Sequence, residues 1–191
     1  MALRGLAEAQ KKARIERREL VFIDEAGFYL LPGRVRTYAP RGHRPLLCVW
    51  QSRDHLSVMS GVTRSGALYT MIRPQALRGP ESVWFLQHLQ SCVGSRLLVI
   101  WDGSPIHHSK EVQRFLATGA AQHIQLEQLP AYAPDLNPDE GVWHQLKEVE
   151  LRNLCCTDLT QLRHELELAI IRLRSKPHLI RSFFVEAGLD L

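Results

Sequence analysis

Leu20-Val21-Phe22-Ile23 is an uninterrupted apolar run that stops at Asp24, the pattern of a strand buried on both faces. Leu97 to Trp101 repeats the pattern and stops at Asp102. Between the two runs, 55–63 and 67–72 have strand character and flank Arg64-Ser65-Gly66, which predicts a hairpin. Apolar residues at Val83, Phe85, Leu86 and Leu89 keep a helical spacing and predict a helix over 80–93. Beyond Asp102 the pattern predicts a helix over 110–118, a strand over 124–129 and a Pro-rich turn over 129–134. Helices fill the rest. Asn137-Pro138 opens one, with Val142, Leu146 and Val149 on a shared stripe. Asp158, with Gln161 behind it, caps a second that carries Leu159, Leu162, Leu166, Ala169, Ile170 and Leu173. The last contains Ile180, Phe183 and Phe184 and ends at Gly188. This order predicts an α/β fold, a mixed sheet flanked by helices.

Residues 6–19 break the texture. Lys11, Lys12, Arg14, Arg17 and Arg18 stand among few apolar positions, which predicts a polar helix or linker outside the core. A chain of 191 residues, 45% apolar, is enough for one domain with a real core. No stretch approaches 18 apolar residues and the N-terminus lacks a signal-peptide core, so the chain reads as soluble and intracellular in type. Cys48, Cys92, Cys155 and Cys156 have no CxxC spacing and are expected to be reduced, buried thiols. A net charge of +4 and a pI near 9.0 decide little. Nineteen of the 24 basic residues are Arg, whose planar fork suits phosphate, although a GC-rich genome would produce the same bias.

The two strand-terminal carboxylates carry more information, because open α/β sheets bind ligands beyond their strand ends. If the strands are neighbours, like charges about 4 Å apart repel by about 4 kcal/mol at an effective dielectric near 20. A shared proton or a divalent cation would relieve them. A turn or helix-cap role would explain either Asp alone. Glu140 is a third candidate acid. With Asn137 as N-cap and Pro138 at N1, it falls at N3, where a capping box also explains it.

Phe22-Ile23-Asp24-Glu25-Ala26-Gly27-Phe28, Tyr38-Ala39-Pro40-Arg41-Gly42, Val99-Ile100-Trp101-Asp102-Gly103-Ser104-Pro105-Ile106-His107, and the segment from Leu129 through Asn137-Pro138-Asp139-Glu140 to Trp143 and Lys147 resemble the catalytic domain of mariner-superfamily insertion-sequence transposases. The resemblance runs from about Leu20 to Arg152. It implies a ribonuclease-H-like fold with a mixed five-stranded sheet. It also implies a DDE triad of Asp24, Asp102 and Glu140 that binds two Mg²⁺ ions, or Mn²⁺, for DNA cleavage and strand transfer. Asp24 is the expected bridge between the ions. Glu25 is expected to accompany Asp24 without being a ligand, and Asp135 and Asp139 to lie outside the triad. Gly103 and Asp139 depart from the family's usual Asn and apolar residue, and Asp139 is expected to add negative charge beside the site. The family implies a bacterial, nucleoid-associated protein and a homodimer on transposon ends. It further implies an N-terminal helix-turn-helix region outside this chain, with 1–19 as linker or helix and 20–191 as catalytic domain.

Arg34, Arg36, Arg41, His43 and Arg44 form a basic segment without acids, expected to lie along DNA phosphates; a solvated loop is the plainer reading. His107 and His108 follow Asp102 closely, either near the chemistry or as surface groups. Trp143 reads as core rather than as a stacking platform. Two other functions fit the residues less well. One is a non-catalytic DNA-binding or regulatory remnant, and the other is a nuclease of the ribonuclease H type.

Overall fold

The computed structural model describes residues 2–31, 36, 38–43, 46, 53–130 and 133–189. Helix α1 (Ala2–Glu16) leads into β1 (Arg18–Tyr29), β2 (His55–Thr63), β3 (Leu68–Arg73), α2 (Gly79–Val93) and β4 (Arg96–Trp101). Then follow α3 (Lys110–Ala117), β5 (Ile124–Gln128), α4 (Asp139–His144), α5 (Leu159–Arg174) and α6 (Pro177–Glu186). The strands form one sheet in the order β3-β2-β1-β4-β5. β2 is antiparallel to β1 and β3, while β1, β4 and β5 run parallel. This is the mixed five-stranded sheet expected from the sequence, with α3 as the crossover that parallel β4 and β5 require.

Alternation along the strands divides the core between two faces. Leu20, Phe22, Leu98 and Ile100 pack with Leu6 of α1, Val142 of α4, Leu166 of α5 and Phe184 of α6. Val21, Ile23, Leu97, Val99 and Trp101 pack with Phe85, Leu86 and Leu89 of α2 and Val112 of α3. Phe22 meets the edge of the Phe184 ring, with centroids 5.6 Å apart.

Four details differ from the sequence pattern. β1 does not stop at Asp24: its parallel ladder with β4 ends at Phe22↔Ile100, but the strand continues to Tyr29 on antiparallel pairing with β2. Residues 6–19 are not wholly outside the core, because α1 buries Leu6 and Ala13, seven residues apart on one helical face. After α4, Gln145–Glu150 winds as a wider π-helical turn. The extra residue per turn rotates the stripe, so Leu146 is buried and Val149 is half-exposed. The described cysteines are free, as expected, but only Cys156 is buried; Cys92 is exposed, and Cys48 lies outside the described residues.

α4 carries site residues, and its seat depends on Gly141. A Cβ there would lie 2.5 Å from Cγ and 2.9 Å from Cβ of Phe183. Those atoms are close to the α6 backbone and cannot swing away. Gly141→Ala is therefore expected to destabilise the protein by about 2 kcal/mol through overpacking, despite the better helix propensity of Ala. Urea unfolding checks this; an unchanged midpoint would show that α6 yields freely.

Candidate metal centre

Asp24 stands two residues beyond Phe22, on the same side of β1, and so faces the α4 layer. Its Oδ1 accepts from the Glu25 backbone N–H at 2.8 Å. Its Oδ2 accepts from Asn137 Nδ2 and from Trp143 Nε1, each at 3.1 Å. Trp143 is buried as expected, edge-on to Phe28 with centroids 6.0 Å apart, and its indole N–H also orients an acid, which the sequence did not reveal. Burial pushes the Asp24 carboxyl up to about 6; the bonds from Glu25 N–H and Trp143 oppose this, and the negative charges of Glu25 and Glu140 add to it.

Glu140 is exposed in the first turn of α4. The capping box does not form as the spacing suggested. Pro138 occupies the cap position without a side-chain cap bond. The Asn137 side chain still caps the first turn, its Oδ1 accepting from the Asp139 N–H at 3.2 Å, while its amide donates to Asp24. Lys147 lies in the field of Glu140 and Asp24, although burial holds its amine below the ordinary lysine range.

Asp139 differs from the other acids in its burial. It is fully buried, accepts a hydrogen bond from the Ser60 hydroxyl, and its Oδ2 has no partner among the described residues. Burial first, then the charge of Asp24, raise its carboxyl well above the usual range, against the Ser60 bond, and Glu25 and Glu140 add to the rise. Its proton is thus held more tightly than an ordinary carboxyl's, which favours the neutral form. A protonated acid can occupy a slot where the resembling family has an apolar residue.

Asp102 is exposed just past β4. Its Oδ1 accepts from the Ser104 N–H at 2.9 Å and lies 3.2 Å from His107 Nδ1. His107 is not a surface group: its ring is buried, lies 3.1 Å through Nδ1 from the Asp102 carbonyl and 2.7 Å through Nε2 from Glu25 Oε1, and stacks on Trp101 at 4.0 Å. Burial alone would lower the His107 pKa, but the hydrogen bond and charge of Glu25, with help from Asp102, raise it. Its neighbour His108 is exposed.

The structure therefore places Asp24 and Glu140 in one electrostatic neighbourhood and Asp102 at the end of the adjoining strand. The donor set suits a hard divalent cation. The candidate acids offer oxygen ligands, and Asp24 is raised by burial and by its negative neighbours, a burden that a cation would relieve. A second group, Glu25, Asp102 and His107, brings its ligand-type atoms within 4.8 Å of one another. In the basic segment Arg36, Arg41 and His43 are exposed, and Asp135 is exposed before α4. Arg34 and Arg44 lie outside the described residues.

A family model for DDE superfamily endonuclease domains matches residues 19–163. In three dimensions the chain is similar to Mos1 mariner transposase in a paired-end complex with Mn, at 17% identity and a TM-score of 0.60, over 94% of this chain and 60% of that one. The catalytic domain of Mos1 by itself gives 16% identity and a TM-score of 0.53, over 97% and 89%. The intasome of simian T-cell lymphotropic virus gives 15% identity and a TM-score of 0.56, over 80% and 47%. The chain spans about three fifths of the Mos1 chains in those DNA complexes. No curated protein matches the sequence. No helix among the described residues is long and apolar enough to cross a membrane. With a five-stranded ribonuclease-H-like sheet shared with the mariner catalytic domain, and a family match over most of its length, the chain belongs to the DDE superfamily endonuclease family.

Proposed function

We propose that this chain is the catalytic domain of a mariner-type insertion-sequence transposase, which cuts DNA at transposon ends and joins the freed ends to target DNA. The observation that carries this reading is Asp24, half-buried just beyond the end of the β1–β4 ladder and within the field of Glu140, with its carboxyl raised to about 6. Asp24, Asp102 and Glu140 would hold two Mg²⁺ or Mn²⁺ ions. When bound, the ions would neutralise the charge that builds on the entering and leaving oxygens of an in-line displacement. Asn137 and Trp143 keep Oδ2 of Asp24 turned toward α4. In cleavage, water forms a bond to phosphorus as the bond to the 3′-oxygen breaks, leaving a 3′-hydroxyl. In strand transfer that hydroxyl forms a new bond to a target phosphorus and displaces a target 3′-oxygen.

Arg36, Arg41 and His43 are exposed and, with Arg34 and Arg44, would neutralise DNA phosphates, giving a steep salt dependence. The paired-end complexes of Mos1 support DNA as the partner; a homodimer on paired ends, a helix-turn-helix region preceding 1–19, and a place in the bacterial nucleoid complete the reading, as the family resemblance implies. The test is incubation of the chain with supercoiled plasmid and Mn²⁺. Nicked circles bearing 3′-hydroxyl ends, absent when EDTA is added, are expected. Nicking that persists in EDTA would contradict the proposal.

A further inference from the structure

Glu25 and His107 take no part in the chemistry above, yet they meet beside it in a contact that packing alone does not explain. The His107 side chain is 0% exposed and that of Glu25 19%, whereas the side chain of Asp102 is 53% exposed. We infer that His107, braced by Glu25, is a positioning residue for Asp102 and ties the ends of β1 and β4 together where their backbone ladder stops. The inference rests on the reading of Asp102 as a metal ligand.

The backbone pairing of β1 with β4 ends at Phe22↔Ile100, so nothing in the ladder fixes the separation of the two strands at Asp24 and Asp102. β1 alternation sends Asp24 toward α4 and Glu25 to the opposite face, the side of Ile23 and Trp101. There Trp101 offers its ring as a flat platform, and His107 stacks on it only 3° from parallel. From that seat one ring nitrogen reaches Glu25 on β1 and the other reaches both the carbonyl and the carboxylate of Asp102 beyond β4. An exposed carboxylate on a turn samples several rotamers. This one is held from two sides, by the Ser104 N–H and by His107. Both nitrogens of His107 already face oxygen acceptors, and a hard cation prefers oxygen ligands. The ring therefore orients the ligand rather than serving as one.

Mn²⁺ binding to the whole chain, followed by electron paramagnetic resonance, tests this without DNA. An Asn side chain keeps a donor near the Nδ1 position, and a Gln side chain keeps one near Nε2. His107→Gln, which abandons Asp102, is expected to weaken Mn²⁺ binding by about tenfold or more, the usual scale for losing a partner that orients a ligand. His107→Asn is expected to stay closer to the parent chain. A purely structural histidine would show no such split. Equal, parent-like binding by both variants, with Asp102→Asn defective, would overturn the inference and leave the metal reading standing. Parent-like binding by Asp102→Asn, or no binding by the parent chain, would overturn both. Nitrogen coupling to bound Mn²⁺ that vanishes in His107→Asn would make the ring a ligand and overturn the positioning role. If the His107 variants melt below the assay temperature, Glu25→Ala at its partly exposed position serves instead. Weakening by about tenfold is expected, and unchanged binding overturns the inference.

Discussion

Glu140→Gln is expected to abolish metal-dependent strand cleavage, by about a thousandfold or more, while the fold stays intact. The side chain is exposed, and the cap it was positioned to make is absent. Losing its charge costs at most a favourable interaction with the α4 N-terminus, so stability should change by no more than about 1 kcal/mol. Gln keeps the shape and one oxygen but cannot supply the charge that a cation site needs. Paired urea unfolding and plasmid-nicking measurements separate the two effects. Cleavage retained in a folded Glu140→Gln chain would remove Glu140 from the metal site.

Asp24→Asn is expected to do something less usual: inactivate the chain and stabilise it. In the metal-free protein the Asp24 carboxyl titrates at about 6, above its ordinary value of 3.8. Between those two values the folded chain holds a proton that the unfolded chain has released. Stability therefore falls as pH rises through that window, and the full penalty, about 3 kcal/mol, is present above pH 6. Asn removes the charge and keeps one oxygen, which can still accept from Asn137 and Trp143. Its amide then faces the Glu25 N–H, which returns part of the gain. A net stabilisation of about 1–2 kcal/mol at pH 7 is expected, with a flatter dependence of stability on pH between 4 and 6. Mn²⁺ should raise the melting temperature of the parent chain and not of Asp24→Asn. Destabilisation of the variant at pH 7 would mean that its hydrogen bonds outweigh its charge.

The strand ends and most helices were legible because hydrophobic periodicity reports them directly. The runs ending at Asp24 and Asp102 became neighbouring parallel strands, and 55–63 with 67–72 became the hairpin of β2 and β3. Periodicity failed where a partner rather than a pattern decides. Asp-Glu-Ala-Gly after Ile23 does not read as strand, but β2 supplies a pairing edge that carries β1 on to Tyr29. Asn137 does cap α4, its Oδ1 accepting from the Asp139 N–H, but its contact with Asp24 spans 113 residues, and the sequence leaves His107 open between the chemistry and the surface because Glu25 is 82 residues away. The raised pKa of Asp139 is likewise a property of its burial, which no local sequence feature encodes. The choice of Asp24, Asp102 and Glu140 among the acids came from family resemblance; spacing alone left turn and cap roles open.

The most direct measurement is anomalous diffraction at the Mn edge from crystals of this chain grown with Mn²⁺. The account predicts density against the carboxylates of Asp24, Asp102 and Glu140, with Asn137 and Trp143 still bonded to Asp24 and Asp139 unliganded. Mn²⁺ seated elsewhere, with those three carboxylates turned apart and uncoordinated, would contradict it.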